Sequence, residues 1–289
     1  MESLNVPVTQ PSLPAAVGTS GSGRELLRVE GLVQHFVAPS GLIDRVRGRK
    51  PHVVKAVDDV DFVLYEGETL GLVGESGCGK STLGRCVIGL YEPTAGTISY
   101  AGIPIRGTRS REQRRHVQMV FQDPYSSLNP RHTVSQALSE VLRFHKMVPR
   151  DRVEARVREL IDLVGLPQRA YDQLPRRFSG GQRQRIGIAR ALALEPRVLV
   201  ADEPVSALDV SVQATIINLL LDLKQSLGLS MVFVSHNMAV VRQVSDRLAV
   251  MNKGKIVETG NTDDVFTRPQ NEYTQLLLAS VPRLAAHHE

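Results

Sequence analysis

The chain of 289 residues is poor in aromatic side chains, which make up 4% of it, and it contains no tryptophan. Surfaces that bind single-stranded nucleic acid depend on exposed aromatic rings, so this composition disfavours base stacking as the main task. Only two cysteines occur, Cys78 and Cys86. Two cysteines cannot by themselves build a metal cluster or a disulfide framework, and a reducing compartment is therefore expected.

Long apolar runs are also missing. No segment approaches the ~20 apolar residues that a membrane-spanning helix needs. Residues 1–20 lack the basic start and the apolar stretch of a secretory signal peptide. The sequence thus predicts a chain that does not cross a membrane by itself.

Charge is plentiful and slightly unbalanced, with 35 Lys and Arg against 30 Asp and Glu, a net charge of +5. This excess suits anionic partners such as nucleotides, nucleic acid or a lipid surface without choosing among them. Residues 1–25 are predicted to be a disordered tail, because they hold three prolines, a Gly/Ser stretch and too few large apolar residues to offset the entropy of ordering. Residues 26–289 are then expected to form one α/β domain.

Short β-branched runs alternate with helical patterns from Thr69 onward. The pairs are TLGLV with KSTLGRCVIGL, RVLVA with VQATIINLLLDLKQSL, and MVFVS with MAVVRQVS. Such alternation predicts parallel strands joined by right-handed crossovers. Between about Thr133 and Leu174 no strand pattern occurs, and apolar residues recur at helical spacing. A helical insert over approximately residues 125–178 is therefore predicted.

Residues 74–81 read Gly-Glu-Ser-Gly-Cys-Gly-Lys-Ser and match G-x-x-x-x-G-K-[ST] between an apolar strand and a helical segment. Glycines let backbone N–H groups converge on phosphate oxygens, and the helix that follows adds the positive end of its dipole. Lys80 is predicted to reach the β- and γ-phosphates of a bound nucleotide, and the Ser81 hydroxyl to bind Mg²⁺. The predicted nucleotide-binding residues here are Gly74, Glu75, Ser76, Gly77, Cys78, Gly79, Lys80, Ser81 and Thr82.

A second apolar strand pattern, over residues 197–201, ends in the carboxylates of Asp202 and Glu203. In phosphate-loop ATPases an acid at such a strand end holds Mg²⁺, which is the role predicted for Asp202. Glu203 is then placed to polarise an attacking water as a general base.

Residues 178–185, Phe-Ser-Gly-Gly-Gln-Arg-Gln-Arg, resemble the signature motif of ABC-type ATPases. Three other elements resemble motifs of that family and occur in the family's order along the chain. They are Gln122 in Val-Phe-Gln-Asp-Pro, before the signature, and residues 206–209 in Ser-Ala-Leu-Asp and His236 in Val-Ser-His-Asn, after it. The resemblance covers about residues 26–281. It implies an α/β fold with a phosphate-loop mixed-sheet core, an antiparallel β subdomain and an α-helical insert subdomain.

The resemblance also implies residue roles. Gln122 would contact Mg²⁺ and sense the helical subdomain, and His236 would hydrogen-bond the γ-phosphate and position the water. The implied catalytic residues are Glu203, His236 and Gln122, and the implied metal ligands are Ser81, Gln122 and Asp202. The further nucleotide contacts that it implies are Phe36, Ser179, Gly180, Gly181, Gln182 and Asp209.

Phe36 stands where the family has an aromatic ring that stacks on adenine, although a core Phe at a strand end is the alternative. The signature resembles residues that contact the γ-phosphate of a nucleotide held by the other ATPase subunit. Catalysis would then require a head-to-tail dimer.

A finer resemblance links residues 121–131, 204–213 and 273–283 to the ATP-binding subunits of dipeptide and oligopeptide importers, a group with nickel-carrying relatives. It implies a peripheral protein on the cytoplasmic side of the inner membrane. The implied partners are two transmembrane permease subunits, a second ABC ATPase subunit that is identical or a sister chain, and, indirectly, an extracytoplasmic solute-binding protein. Nickel or another small solute is the alternative cargo.

A soluble ABC ATPase acting on nucleic acid is the alternative of a different class. An arginine-rich stretch could form a basic patch for it: Arg106, Arg109, Arg111, Arg114 and Arg115. The interspersed Glu112 and the shortage of aromatic residues favour a solvated loop over residues 104–115 instead. No nucleic-acid partner is therefore predicted.

Overall fold

The computed structural model describes residues 23–37, 53–105, 109–123 and 128–280. The strands in these ranges are β1 (Glu25–Val37), β2 (Val53–Tyr65), β3 (Thr69–Val73), β4 (Ala95–Tyr100), β5 (Ile103–Ile105), β6 (Val117–Val120), β7 (Val198–Asp202), β8 (Ser230–Val234), β9 (Arg247–Asn252) and β10 (Lys255–Asn261). The helices are α1 (Lys80–Ile88), α2 (Arg111–His116), α3 (Val134–Phe144), α4 (Val153–Leu163), α5 (Gly180–Leu192), α6 (Val210–Leu227), α7 (Met238–Val244), α8 (Thr262–Thr267) and α9 (Glu272–Ala279).

The strands form two sheets. One is antiparallel, in the order β2-β1-β4-β5, and the other runs β10-β9-β3-β8-β7-β6. In the second sheet β9, β3, β8, β7 and β6 are parallel, and only the edge strand β10 runs antiparallel to its neighbour. The parallel pairing predicted from the strand–helix alternation is confirmed, and so is the mixed-sheet core with an antiparallel β subdomain.

Apolar side chains fill two cores, one on each face of the mixed sheet. The first lies between the antiparallel sheet and the mixed sheet and takes in buried residues of α1 such as Leu83 and Val87. The second lies on the opposite face, where α3 to α7 pack. The helix that follows the phosphate loop is therefore held between two sheets.

The predicted insert contains helices and no strand in its described part, residues 128–178: α3, α4 and three short 3₁₀ turns. Both helices have an apolar stripe that is fully buried, including Leu138, Leu142, Val157 and Leu160. In the sequence, this subdomain lies between β6 and α5. Gln122 comes just after β6, and the signature forms the start of α5. Its exact bounds stay a prediction.

The prediction of a solvated basic loop over residues 104–115 holds for the exposure of Arg111 and Arg114, but it is wrong for the loop, since residues 111–116 form α2, and for Arg109. The Ser110 hydroxyl accepts a hydrogen bond from the Gln113 backbone N–H and so begins α2. Arg109 is buried, and its Nη2 donates to the carbonyl oxygen of Cys86 at 3.0 Å, near the end of α1. Burial lowers the pKa of Arg109 to about 10. Arg106 lies outside the described residues.

Residues 1–22 of the predicted tail lie outside the described residues. Its last predicted residue, Glu25, is the first residue of β1. None of the helices in the described ranges combines the length and the hydropathy of a bilayer span.

Candidate functional site

The phosphate loop runs from the end of β3 to the start of α1, as the sequence predicts. Gly74 and Gly79 have φ angles of 150° and 113°, in the region that favours glycine. A Cβ at Gly79 would lie 2.0 Å from the carbonyl oxygen of Ala56, and one at Gly74 would lie 2.1 Å from that of Met251. Both glycines are therefore required by close backbone approach as well as by φ.

Lys80 is buried, and its side chain turns back into the loop. The Nζ atom donates to the carbonyl oxygens of Gly74 and Glu75, each at 2.8 Å. These oxygens fix the ammonium inside the curve of the loop, where phosphate oxygens can replace them as acceptors.

Cys78 is buried beside Lys80, with Sγ 3.8 Å from Nζ. Burial raises the pKa of this thiol. Cys78 is thus a protonated, packed side chain at neutral pH.

A cavity of about 600 Å³ opens over the loop. The residues that line it are Val54, Lys55, Ala56, Ser76, Gly77, Cys78, Gly79, Lys80, Ser81, Thr82, Gln122, Glu203, Lys253 and Gly254. This cavity brings together the loop and two of the three predicted catalytic residues. The contributions of Val54 to Ala56 and of Lys253 and Gly254 were not predicted, since nothing in their own sequence marks them as contacts of the loop.

Phe36 lies at the end of β1 with its ring edge against Tyr91, the centroids 5.5 Å apart. Its side chain is half exposed, and its cross-strand neighbour Val54 lines the cavity. Phe36 itself is not among the described residues that line it. The adenine-stacking role of Phe36 therefore stays a prediction.

Ser81, which lines the cavity, contacts Asp202, which lies behind it and is not among the described lining residues. The Ser81 hydroxyl donates to Asp202 Oδ1 at 2.8 Å, although the two residues are 121 positions apart. Burial raises the pKa of Asp202, while the Ser81 hydrogen bond and the charge of Arg85 act in the opposite direction. A buried carboxylate beside a hydroxyl is an oxygen donor pair of the kind that Mg²⁺ prefers, and a cation there would offset the cost of burying the charge.

Glu203 is the centre of a group of three polar side chains. Its Oε2 accepts a hydrogen bond from Gln122 Nε2 at 3.3 Å and lies 3.1 Å from His236 Nδ1. The three residues come from the ends of β6, β7 and β8, which are neighbours in the sheet. The structure thus brings together all three residues that the sequence predicts as catalytic.

The backbone at Glu203 is strained. Its φ is 45°, in the left-handed region, which costs a non-glycine residue roughly 1–3 kcal/mol. The conformation is held by a hydrogen bond from Glu203 N–H to the carbonyl of Val234 at 2.9 Å and by one from the Ser206 hydroxyl to the carbonyl of Glu203 at 3.1 Å. Strain supported in this way is typical of residues whose side chain must point in one direction.

The signature segment begins α5. Ser179 is its N-cap and forms a capping box, in which the Ser179 hydroxyl accepts from the Gln182 N–H and the Gln182 side chain accepts from the Ser179 N–H. Ser179 is exposed, and Gly181 is buried so tightly that a Cβ would lie 2.4 Å from Val212. Among the described residues that line the phosphate-loop cavity, none belongs to the signature. The exposed helix start is therefore a separate polar surface, and Asp209 is likewise exposed, as the N-cap of α6.

The structure also reveals a contact that the sequence does not predict. The hydroxyl of Tyr273, in α9, accepts a hydrogen bond from the Glu75 backbone N–H at 3.1 Å, across 198 positions. Similarity of the region 273–283 to importer subunits singles this segment out, but no local pattern places it against the loop.

A phosphate loop between a parallel strand and its helix, an oxygen donor pair and a strand-end glutamate define a phosphate-loop nucleoside triphosphatase. The family model described as "ABC transporter" matches residues 57–206. The chain belongs to the ABC transporter family of ATP-binding proteins. A second model, "Oligopeptide/dipeptide transporter, C-terminal region", matches residues 257–289.

Curated relatives are similar over most of the chain. The oligopeptide transport ATP-binding protein OppF of Bacillus subtilis is 48% identical over 264 residues, which are 89% of this chain and 83% of that protein. OppF of Escherichia coli is 47% identical over 261 residues, 89% of this chain and 78% of the relative. The glutathione import ATP-binding protein GsiA of Pectobacterium atrosepticum is 48% identical over 281 residues, 96% of this chain but 43% of that protein.

A solved structure supports the same fold. The ATP-binding cassette MJ0796, in a dimeric post-hydrolysis state bound to ADP and Pi, has a TM-score of 0.70 and 27% identity, and the match covers 82% of this chain and 99% of that one. The ABC ATPase fold expected from the signature and the phosphate loop is confirmed.

Proposed function

We propose that this chain is the ATP-hydrolysing subunit of an importer for di- and oligopeptides. The observation that carries the proposal is the 48% identity to an oligopeptide transport ATP-binding protein over most of both chains, together with the C-terminal match at residues 257–289. The chain would act as a peripheral protein on the cytoplasmic side of the membrane, bound to two permease subunits and supplied by an extracytoplasmic solute-binding protein. No role on nucleic acid is proposed.

ATP would bind over the phosphate loop, with its β- and γ-phosphates against the loop N–H groups and Lys80. The carbonyl contacts of Lys80 at Gly74 and Glu75 are exchanged for phosphate oxygens as the nucleotide enters. The start of α1 at the same place adds a favourable dipole for the anion.

Ser81 and Asp202 fit a Mg²⁺ ion, with Gln122 as the third proposed ligand. The ion would supply charge neutralisation at the phosphates. The hydrogen bond of 2.8 Å between Ser81 and Asp202 keeps together two of the side chains that would hold the ion.

Glu203 is proposed as the general base that accepts a proton from the attacking water. His236 and Gln122 hold its Oε2 at 3.1 Å and 3.3 Å, and the side chain of Glu203 is 11% exposed against 52% for His236. Shielding from bulk solvent favours Glu203 as the base, and the more exposed His236 is proposed to reach the γ-phosphate.

The exposed signature would complete the site of a second ATPase subunit. Ser179, Gly180 and the start of α5 offer a hydroxyl, backbone N–H groups and a helix dipole to an anion. Because this surface does not line the cavity of its own chain, hydrolysis is proposed to need a head-to-tail dimer.

The permease is proposed to contact the face where the helical insert meets the core. A cavity of about 540 Å³ lies there, between α1 and β6 on one side and α3 and α5 on the other. Phe144 on α3 and Leu90 beyond α1 flank this region with side chains that are 56% and 58% exposed. Exposed apolar residues around a concave surface are typical of a protein interface.

We expect a cysteine introduced at Phe144 to crosslink to permease loops in membranes that contain the whole transporter. A cysteine at Leu227, which is exposed at the C-terminal end of α6, is the matched control and should give no such crosslink. Mass spectrometry of the crosslinked bands identifies the partner. Permease crosslinks from Leu227 alone would reject the proposed contact surface.

The cargo is tested by uptake in cells. A strain that lacks this chain should lose uptake of a labelled tripeptide, and the wild-type chain should restore it. Uptake of labelled glutathione and of Ni²⁺ is measured in parallel. Relatives of this chain include a glutathione import protein, and nickel is the alternative cargo. Loss of Ni²⁺ uptake with unchanged peptide uptake would overturn the peptide assignment.

A further inference from the structure

The C-terminal helix α9 reaches the phosphate loop through one side chain. Tyr273 is half-buried against the main core, and its hydroxyl accepts the hydrogen bond from Glu75 N–H at 3.1 Å. The ABC transporter match at residues 57–206 does not include this helix, which belongs to the separate C-terminal match.

The contacted N–H belongs to the same peptide group whose carbonyl oxygen, on Gly74, accepts from Lys80 Nζ at 2.8 Å. This single peptide group is thus held at both ends, by a phenol oxygen at its N–H and by an ammonium at its C=O. Hydrogen bonds on opposite ends of one amide polarise it and strengthen each other.

The residue before this peptide group is a glycine. Gly74 has φ 150°, and it has no side chain that would restrict rotation about its Cα–C bond, the rotation that turns this peptide group. A hydrogen bond from outside the loop therefore helps to keep the Gly74 carbonyl directed at Lys80.

Tyr273 is itself held in place by a short chain of contacts that begins in the sheet. Glu258 of β10 accepts from the backbone N–H groups of Gln270 and Asn271 at 2.8 and 3.0 Å. The Asn271 side chain then accepts from the Tyr273 N–H at 2.9 Å and caps α9. The position of the phenol is therefore fixed relative to the sheet that carries the loop.

We infer that Tyr273 is a positioning residue for the phosphate loop: through the 74–75 peptide group it sets the place of the Lys80 ammonium and so tunes the affinity for ATP. The inference rests on the proposed ATPase function of the same site. It assigns the C-terminal region a direct effect on nucleotide binding.

The test is the Tyr273→Phe variant of the full chain, which keeps the ring and removes only the hydroxyl. Loss of one hydrogen bond to the loop predicts a rise of about two- to tenfold in the KM for MgATP and in the Kd of a fluorescent ATP analogue. The kcat should stay within about twofold, because Glu203 and its neighbours are untouched. Tyr171→Phe, on a ring that stacks under Arg158 in the helical insert, is the matched control and should leave both constants unchanged.

A double-mutant cycle separates positioning from general stability. Glu258→Ala removes the hydrogen bonds that hold the segment before α9 and should also raise the KM for MgATP. The double variant Glu258→Ala/Tyr273→Phe should have the same KM as Tyr273→Phe alone. An unchanged KM in Tyr273→Phe would overturn the inference, and so would a lower melting temperature of the nucleotide-free protein with no change in KM. If the wild-type chain bound no ATP, the proposed function would fail instead, so the two failures are distinguishable.

Discussion

The Glu203→Gln variant is expected to bind ATP and to lose turnover by about 10²- to 10⁴-fold, the usual contribution of a general base. The amide has nearly the size of the carboxylate and retains an oxygen for the contact with Gln122, but it cannot take up a proton from water. Asp202 and Ser81, which face the proposed metal, remain unchanged, with their 2.8 Å hydrogen bond intact. The measurement is phosphate release at saturating MgATP, with nucleotide binding titrated on the same preparation.

The expected consequence is a variant that accumulates with ATP bound, visible as a stable dimer in gel filtration. Glu154→Gln, an exposed glutamate on α4 that pairs with Arg158, is the matched control for the same chemical change and should hydrolyse ATP normally. Turnover at the wild-type rate in Glu203→Gln would show that another group is the base, and His236, 3.1 Å away, would be examined next.

The parts of this site that could be predicted are those that local sequence encodes. The phosphate loop needs glycines, a lysine and a serine within eight consecutive positions, and β3 and α1 on either side have their own patterns. Asp202 is the last of the five buried residues of β7, and Glu203 follows it directly, so the apolar run before them marks the position of both carboxylates. The meeting of Gln122, Glu203 and His236 follows from parallel strands that end at the same edge of the sheet.

The parts that could not be predicted depend on contacts between distant segments. Arg109 lies in an arginine-rich stretch that reads as solvated, yet it is buried because the carbonyl of Cys86 at the end of α1 offers it an acceptor. Tyr273 reaches the loop only because β9 and β10 extend the sheet beyond β3 and carry α9 back over it. For neither Arg109 nor Tyr273 does the local sequence pattern indicate the residue that it contacts.

The Ser179→Arg variant is expected to bind ATP nearly as the wild type does and to lose hydrolysis. Lys80 and Ser81 line one cavity and are proposed to hold the nucleotide within one chain, whereas Ser179 lies outside the described lining of that cavity and would act on a nucleotide across a dimer interface. A bulky cation at the exposed start of α5 should prevent the two subunits from closing. Ser110→Arg, which breaks the same kind of capping box at α2, is the control for the loss of the cap, a cost of about 1 kcal/mol.

The decisive experiment pairs Ser179→Arg with Lys80→Ala, which removes the cation of the phosphate loop and should abolish nucleotide binding or hydrolysis when present alone. The two variants are co-expressed with different tags, and the mixed dimer is isolated on both. In that dimer one composite site carries both defects and the other carries neither, so ATPase activity should rise well above that of either variant. No recovery in the isolated mixed dimer would argue against shared sites, and loss of ATP binding by Ser179→Arg alone would show that the signature acts in folding its own chain. Failure to isolate any mixed pair would indicate that this chain pairs with a different ATPase subunit.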